Sequence, residues 1–188
     1  MKKLYLIIAI LFIVHYSSFG QSLLGNGTFS INGNISFTSY HDNGADNNRT
    51  VFIFNPSFDY FVVDNLSLGV TININNISFG EYNNFSWGIG PSLRYYFRAA
   101  ENIRPFAGFG YSYATENATI SAEDIKYNNI ILNGGIDYFL TDNVALETIF
   151  SYTFTNIKLP VEYRTFYSDS DISRRSISMG LGINIFLR

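Results

Sequence analysis

Two short stretches of the chain follow one pattern: YFVVDNLSLG at Tyr60–Gly69 and YFLTDNVALE at Tyr138–Glu147. Each begins with Tyr-Phe, continues through two residues to Asp-Asn, and ends in an apolar-small-apolar run. Asp and Asn tolerate turn geometry and hydrogen-bond their own backbone. Each copy therefore predicts the end of one strand, a tight turn and the start of the next strand. A looser third copy, RYYFRAAENIRPF at Arg94–Phe106, predicts a longer turn of the same kind.

Apolar and polar residues alternate with a period of two along most of the chain beyond residue 28. Successive side chains of a strand point to opposite faces, so this alternation predicts strands rather than helices. Eight such segments are present, near residues 29–37, 52–60, 66–75, 85–97, 108–113, 129–138, 144–154 and 176–187.

The connections between these segments alternate in length. Short turns lie at 64–65, 99–102 and 141–143, and longer polar loops lie near 40–50, 80–84, 115–126 and 156–173. An even number of strands with short turns at one end and long loops at the other is typical of a transmembrane β-barrel. We therefore predict an all-β fold, an eight-stranded antiparallel up-and-down transmembrane barrel.

A soluble barrel or sandwich also alternates, but its outer face carries many charges. Here charged residues make up 14% of the chain, against roughly 25% in soluble domains. The polar face consists mainly of Gly, Ser, Asn and Thr, which suit the narrow interior of eight strands. The bulky apolar face is then expected to meet lipid.

The first twenty residues, MKKLYLIIAILFIVHYSSFG, differ from the remainder. Two lysines, an apolar run and small residues before Gln21 are typical of a cleavable signal peptide. The alternative is an uncleaved anchor, but the apolar run is shorter than the ~20 residues that span a bilayer. We predict a signal peptide at 1–20 and one barrel domain at 21–188.

With these features the chain resembles the small eight-stranded outer-membrane barrels of Gram-negative bacteria, the OmpA-like and OmpX-like β-barrel domains. The resemblance rests on the signal peptide, the eight alternating strands, the turn and loop asymmetry, and the ending GLGINIFLR at Gly180–Arg188. It implies an outer-membrane location with both termini in the periplasm. It also implies contact with lipid and lipopolysaccharide, and recognition by the barrel assembly machinery. Phe186 on the inward parity and a final Arg188 depart from the usual terminal signal. No periplasmic peptidoglycan-binding domain is expected.

Aromatic residues are expected to form two girdles at the membrane interfaces. The girdle beside the short turns contains Tyr60, Tyr95, Phe97 and Tyr138, and the girdle nearer the loops contains Phe85, Tyr113, Tyr152 and Phe154.

Four charged residues fall on the inward parity near the turn end: Asp59, Arg94, Asp137 and Glu147. Buried charges are costly unless they are paired. We therefore expect an interior network in which Arg94 meets at least one of the three carboxylates. Its expected role is to fill and stiffen the lumen. An acid/base pair has little support, because eight strands leave no space for a substrate.

Two classes of function remain from the sequence. The first is a non-enzymatic structural or surface-interaction protein that acts through its extracellular loops. The second is a narrow pore for ions or small solutes past the inward charges. A lipid-modifying outer-membrane enzyme is less favoured, because His41, the one histidine after the signal segment, has no residue that positions it as a base.

We expect no catalytic residue, cofactor or metal site. A basic face for nucleic acid is absent, since the formal net charge is −3. A monomer is expected. The loop residues with side chains suited to recognition are Tyr40, His41, Arg49, Tyr163, Arg164 and Tyr167.

Overall fold

The structure, a computed structural model, describes residues 24–40, 49–79, 82–117, 124–160 and 171–188. The predicted signal segment, His41, Tyr163, Arg164 and Tyr167 lie outside these ranges. No helix among the described residues is long and apolar enough to cross a membrane.

Eight antiparallel strands close into a barrel in the order of the chain. This confirms the predicted fold class and every predicted strand. The strands are β1 (Phe29–Tyr40), β2 (Arg49–Val63), β3 (Leu66–Phe79), β4 (Tyr82–Tyr96), β5 (Ile103–Glu116), β6 (Ile125–Phe139), β7 (Val144–Lys158) and β8 (Asp171–Leu187).

The side-chain parity read from the sequence determines which residues face out. The exposed large apolar side chains alternate along every strand, as in Leu181, Ile183, Ile185 and Leu187 of β8. The predicted girdle side chains also lie on this outer face. Near the short turns Tyr95 packs edge-on against Phe97, with ring centroids 5.0 Å apart. Near the loops Tyr152 packs in the same way against Phe154, at 4.7 Å.

The two copies of the repeated phrase form the turns between β2 and β3 and between β6 and β7. In the first turn Asn65 has a φ of 65°, the left-handed region that Asn tolerates better than most residues. In the second turn the side chain of Asn143 donates a hydrogen bond to the carbonyl oxygen of Phe186, at 2.7 Å. Asn65 thus provides the backbone geometry of its turn, and Asn143 ties its turn to β8.

The pairing of β1 with β8 closes the barrel but is shorter than the other pairings. It comprises seven residue pairs, from Phe29 with Leu187 to Ile35 with Leu181. Beyond these pairs, β1 continues to Tyr40 and β8 begins as early as Asp171, but these parts of the two strands are not paired with each other. The barrel is therefore fully closed at the turn end and parted between β1 and β8 at the loop end.

Candidate functional site

The lumen is filled in layers that follow the inward parity of the strands. The layer at the turn end is aromatic. Five inward rings are buried there: Phe61, Tyr96, Phe106, Phe139 and Phe186.

These rings pack on one another across the barrel. Phe139 stacks on Phe186 with centroids 5.1 Å apart, and Phe61 lies 5.6 Å from Tyr96. The segment before β1 completes the layer through Leu24, which is fully buried in the same cluster. We call these five rings and Leu24 the aromatic plug. It closes the turn end of the lumen with apolar side chains.

The repeated phrase accounts for part of the plug. In each copy Tyr60 or Tyr138 faces outward into the girdle, and the next residue, Phe61 or Phe139, faces inward into the plug. The first aromatic of each copy was predicted to lie in the girdle, and the role of the second was not predicted. The signal was present, since strict alternation places adjacent aromatics on opposite faces.

The four inward charges predicted from the sequence form the next layer, and all four are buried. The guanidinium of Arg94 on β4 forms an ion pair with the carboxylate of Glu147 on β7. It also donates to the hydroxyl oxygen of Tyr96, at 3.3 Å. The Arg94 guanidinium carbon lies 4.2 Å from the centroid of Phe106, so the cation rests on the plug.

Asp137 and Glu147 are register partners on β6 and β7 and face the lumen side by side. Asn184 lies between their oxygens and donates to Asp137 at 2.7 Å and to Glu147 at 3.1 Å. Asn184, like Asp137, has no exposed surface. Asn184 was not predicted to belong to this layer, although it lies on the inward parity of β8 at the same level. A bridging amide lowers the cost of placing two carboxyl groups together.

Asp59 occupies the opposite wall. Its oxygens accept hydrogen bonds from Asn32 at 2.6 Å, Ser57 at 2.9 Å and Ser92 at 3.3 Å. Gly69 on β3 leaves the space for this carboxylate, because a Cβ there would overlap Asp59 Oδ1. Asp59 is therefore satisfied by neutral donors, and of the three carboxylates it is Glu147 that pairs directly with Arg94.

Above the charged layer the lumen opens toward the loops. A cavity of about 500 Å³ is lined by inward Asn, Ser and Thr side chains of seven strands, together with Val51, Ile53 and Ile131. A smaller space of about 70 Å³ lies directly above Arg94. The interior is thus a cup, closed at the turn end and open in its outer half.

The predicted loop residues are only partly described. The backbones of Tyr40 and Arg49 pair at the outer end of β1 and β2. Beside the cup, Glu116 accepts hydrogen bonds from Tyr127 at 2.7 Å and Asn84 at 3.2 Å. Within the described ranges, no group of three or more acidic, His or Cys side chains is arranged to hold a metal ion.

The sequence model of one protein family, described as "Outer membrane protein beta-barrel domain", matches residues 7–184. No curated protein sequence matches the chain.

Several solved barrels share the fold at low identity. The N-terminal β-barrel domain of Pseudomonas aeruginosa OprF aligns with a TM-score of 0.57 at 12% identity, over 87% of this chain and 99% of that chain. Neisserial surface protein A aligns with a TM-score of 0.55 at 15% identity, over 84% and 94%. OprG from Pseudomonas aeruginosa aligns with a TM-score of 0.53 at 14% identity, over 89% and 100%.

Proposed function

The chain belongs to the outer membrane protein beta-barrel domain family, and we propose that it is a non-enzymatic surface-interaction protein. As a member of this family it is an outer-membrane barrel of a Gram-negative cell. In this proposal the barrel is a rigid anchor, and the extracellular loops contact lipopolysaccharide or other surface molecules. Loops carried on a rigid scaffold are a common place for binding residues.

The closed turn end of the lumen carries this proposal. A pore needs a continuous wet path, and the path here meets two filled layers. The aromatic plug, which includes Leu24 and Phe186, fills the turn end of the barrel. The Arg94–Glu147 pair lies directly above it. Opening this path would break a buried ion pair and separate packed rings, both of which are unfavourable. The narrow pore is therefore the weaker alternative.

A lipid-modifying enzyme is also less well supported than the surface-interaction protein. The chain has two histidines, His15 and His41, and neither belongs to the described residues. The buried carboxylates Asp59, Asp137 and Glu147 are each engaged by side-chain hydrogen bonds or by Arg94. General acid/base catalysis requires such a group to reach a substrate proton, and these groups lie beneath the cup.

The proposal includes an orientation and a set of partners. Both termini lie in the periplasm, the long loops face outward, and the barrel is a monomer. The outer face contacts lipid, and the barrel assembly machinery inserts the chain. The loop residues proposed to make surface contacts are Tyr40, His41, Arg49, Tyr163, Arg164 and Tyr167.

Binding to lipopolysaccharide is tested through stability, because a ligand that binds only the folded state raises the midpoint of unfolding. The protein is refolded in phospholipid vesicles with and without lipopolysaccharide, and urea unfolding is followed by the fluorescence of Trp87, the single tryptophan. We expect lipopolysaccharide to raise the midpoint. The triple variant Tyr163→Ala/Arg164→Ala/Tyr167→Ala should lose most of this increase.

A matched control is Arg98→Ala, an exposed cation beside a short turn at the other end of the barrel. It should keep the full increase. Equal midpoints with and without lipopolysaccharide for the unmodified protein would overturn the proposed contact.

A further inference from the structure

Among the strand residues whose exposure the structure describes, the outer half of β8 holds the longest exposed run. Seven consecutive residues, 173–179, are exposed on both faces. Ile177 is 80% exposed and Leu181 is 64% exposed, the two highest values among the large apolar side chains described as exposed. This exposure begins where the pairing with β1 ends, at Ile35 and Leu181. We call the parted stretch between β1 and β8 the lateral slot.

The lateral slot lies partly at membrane depth. The outward residues of β8 are apolar from Ile177 to Leu187, which is the length that a β-strand needs to cross a bilayer, about 9–11 residues. Arg175 ends this band, and its guanidinium carbon lies 5.9 Å from the ring centroid of Phe154 in the outer girdle. Residues 177–180 are therefore inside the apolar band and have no β1 partner.

An open strand edge within hydrocarbon is unfavourable, because each unsatisfied backbone group costs several kcal/mol. The slot is therefore a place where a bound molecule would shield this edge from lipid. The cup lies directly behind it, since Ser36 of β1 and Ser176 and Ser178 of β8 line both the slot and the 500 Å³ cavity. Outward Ile177 and Met179 line the same cavity. The cup is thus continuous with the lipid phase through the side of the barrel.

We propose that the cup and the lateral slot form a binding site for a single-chain amphiphile with an anionic head, which enters sideways from the outer leaflet. The cavity volume lies within the usual range of small-molecule sites. Ile53 and Ile131 on the lining provide apolar contacts, and the Asn and Ser side chains provide hydrogen bonds.

The charge at the outer end of the slot favours an anion. Arg174 and Arg175 are adjacent and exposed, and they lie on the inward and outward parities of the unpaired strand. Arginine recognises carboxylate and phosphate groups by paired hydrogen bonds. Glu116, a carboxylate beside the cup, is engaged by Tyr127 and Asn84. This site does not depend on the loop contacts proposed above.

The test uses palmitic acid that carries a photoactivatable diazirine, added to the protein in phospholipid vesicles. Cross-linked residues are mapped by mass spectrometry. We expect labelling of the inward Ile53 and Ile131 above that of the outward Leu132, and competition by unlabelled palmitate. The Arg174→Ala variant should require about tenfold more palmitate for the same competition, because one charge-assisted contact is lost.

The route is tested with cysteine pairs, since the chain contains no cysteine. Extension of the register beyond Ile35 and Leu181 would bring Thr38 opposite Ser178. The pair Thr38→Cys/Ser178→Cys, joined by oxidation or by a bifunctional maleimide, should abolish inward labelling. The control Leu146→Cys/Ile183→Cys joins β8 to its existing partner β7 on the lipid-facing side, away from the cup, and should leave the labelling unchanged.

A second pair of variants tests the cup if the bridged protein does not fold. Ser151→Phe fills the cavity and should remove inward labelling, whereas Thr148→Phe adds the same bulk to the lipid-facing side of β7 and should not. Labelling of Ile53 and Ile131 that persists in the bridged protein would overturn sideways access. Unlabelled inward residues in the unmodified protein, or a Ser178→Cys dimer that shows β8 paired with a second copy, would overturn the site.

Discussion

Arg94 and Glu147 stand on β4 and β7, strands that are not neighbours in the barrel, and their side chains meet across the lumen. The pair therefore connects opposite walls, and no register between adjacent strands creates it. Arg94 rests on Phe106 below, and Glu147 is held by Asn184 at its side. The charged layer and the aromatic plug thus support one another.

Removal of one partner of this pair should be strongly destabilising. Arg94→Met leaves the buried Glu147 carboxylate without its counter-ion, and Glu147→Leu leaves the guanidinium without its own. We expect either change to lower the free energy of unfolding by about 3–5 kcal/mol. The double variant should be closer to the unmodified protein than either single variant, because neither member of the pair is left without the other. Urea unfolding followed by Trp87 fluorescence measures all three.

The control for these three variants is Arg98→Ala, which removes an exposed cation outside the strands. Its effect should stay within about 0.5 kcal/mol. If the double variant loses the sum of the two single losses, the two side chains are not coupled across the lumen.

The two Asn residues of the repeated phrase should respond differently to Ala and Gly. Asn65 has positive φ, and among the described residues it is the non-glycine residue with that geometry. Asn65→Ala should therefore cost about 1–2 kcal/mol more than Asn65→Gly, because Gly adopts positive φ without strain. Asn143→Ala and Asn143→Gly should each destabilise by about 1 kcal/mol, because both remove the hydrogen bond to Phe186. Thermal unfolding midpoints compare the four variants, and an Asn65→Gly variant as destabilised as Asn65→Ala would contradict this assignment.

Two strand glycines should differ in their tolerance of a methyl group. A Cβ on Gly135 would overlap the carbonyl oxygen of Thr148 on β7 and lie 2.7 Å from Cζ of Phe106, within the aromatic plug, whereas the nearest atom to a Cβ on Gly110 is 3.7 Å away. Gly135→Ala should cost about 1–3 kcal/mol through overpacking. Gly110→Ala should be neutral or slightly stabilising, because it restricts the unfolded chain without strain. Equal effects in urea unfolding would show that Gly135 is not closely packed against Phe106 and the main chain of β7.

Much of this architecture follows from the sequence, because strand parity is local information. Alternation gave the eight strands, the outward face and the inward positions of Asp59, Arg94, Asp137 and Glu147. The tight turn at Asp64–Asn65 and its copy at Thr141–Asn143 followed from turn chemistry. These features need no knowledge of which strands meet across the lumen.

Other features depend on contacts between distant parts of the chain. Parity placed Phe186 inward, but only the assembled barrel brings it onto Phe139 and Phe61. The burial of Leu24 depends on the path of the chain before β1. The β1–β8 register was also not predictable, because no turn joins these strands and turn length is what fixes register in the hairpins. The lateral slot arises at that junction.

Ion conductance tests the central claim, a lumen closed at the turn end, most directly. The purified protein is inserted into a planar bilayer beside the variant Phe61→Ala/Phe186→Ala, which removes two rings of the plug, and Trp87 fluorescence verifies folding in each sample. We predict a silent membrane for the unmodified protein and openings only for the variant. Steady channel openings of the folded, unmodified protein would contradict the account and establish the pore.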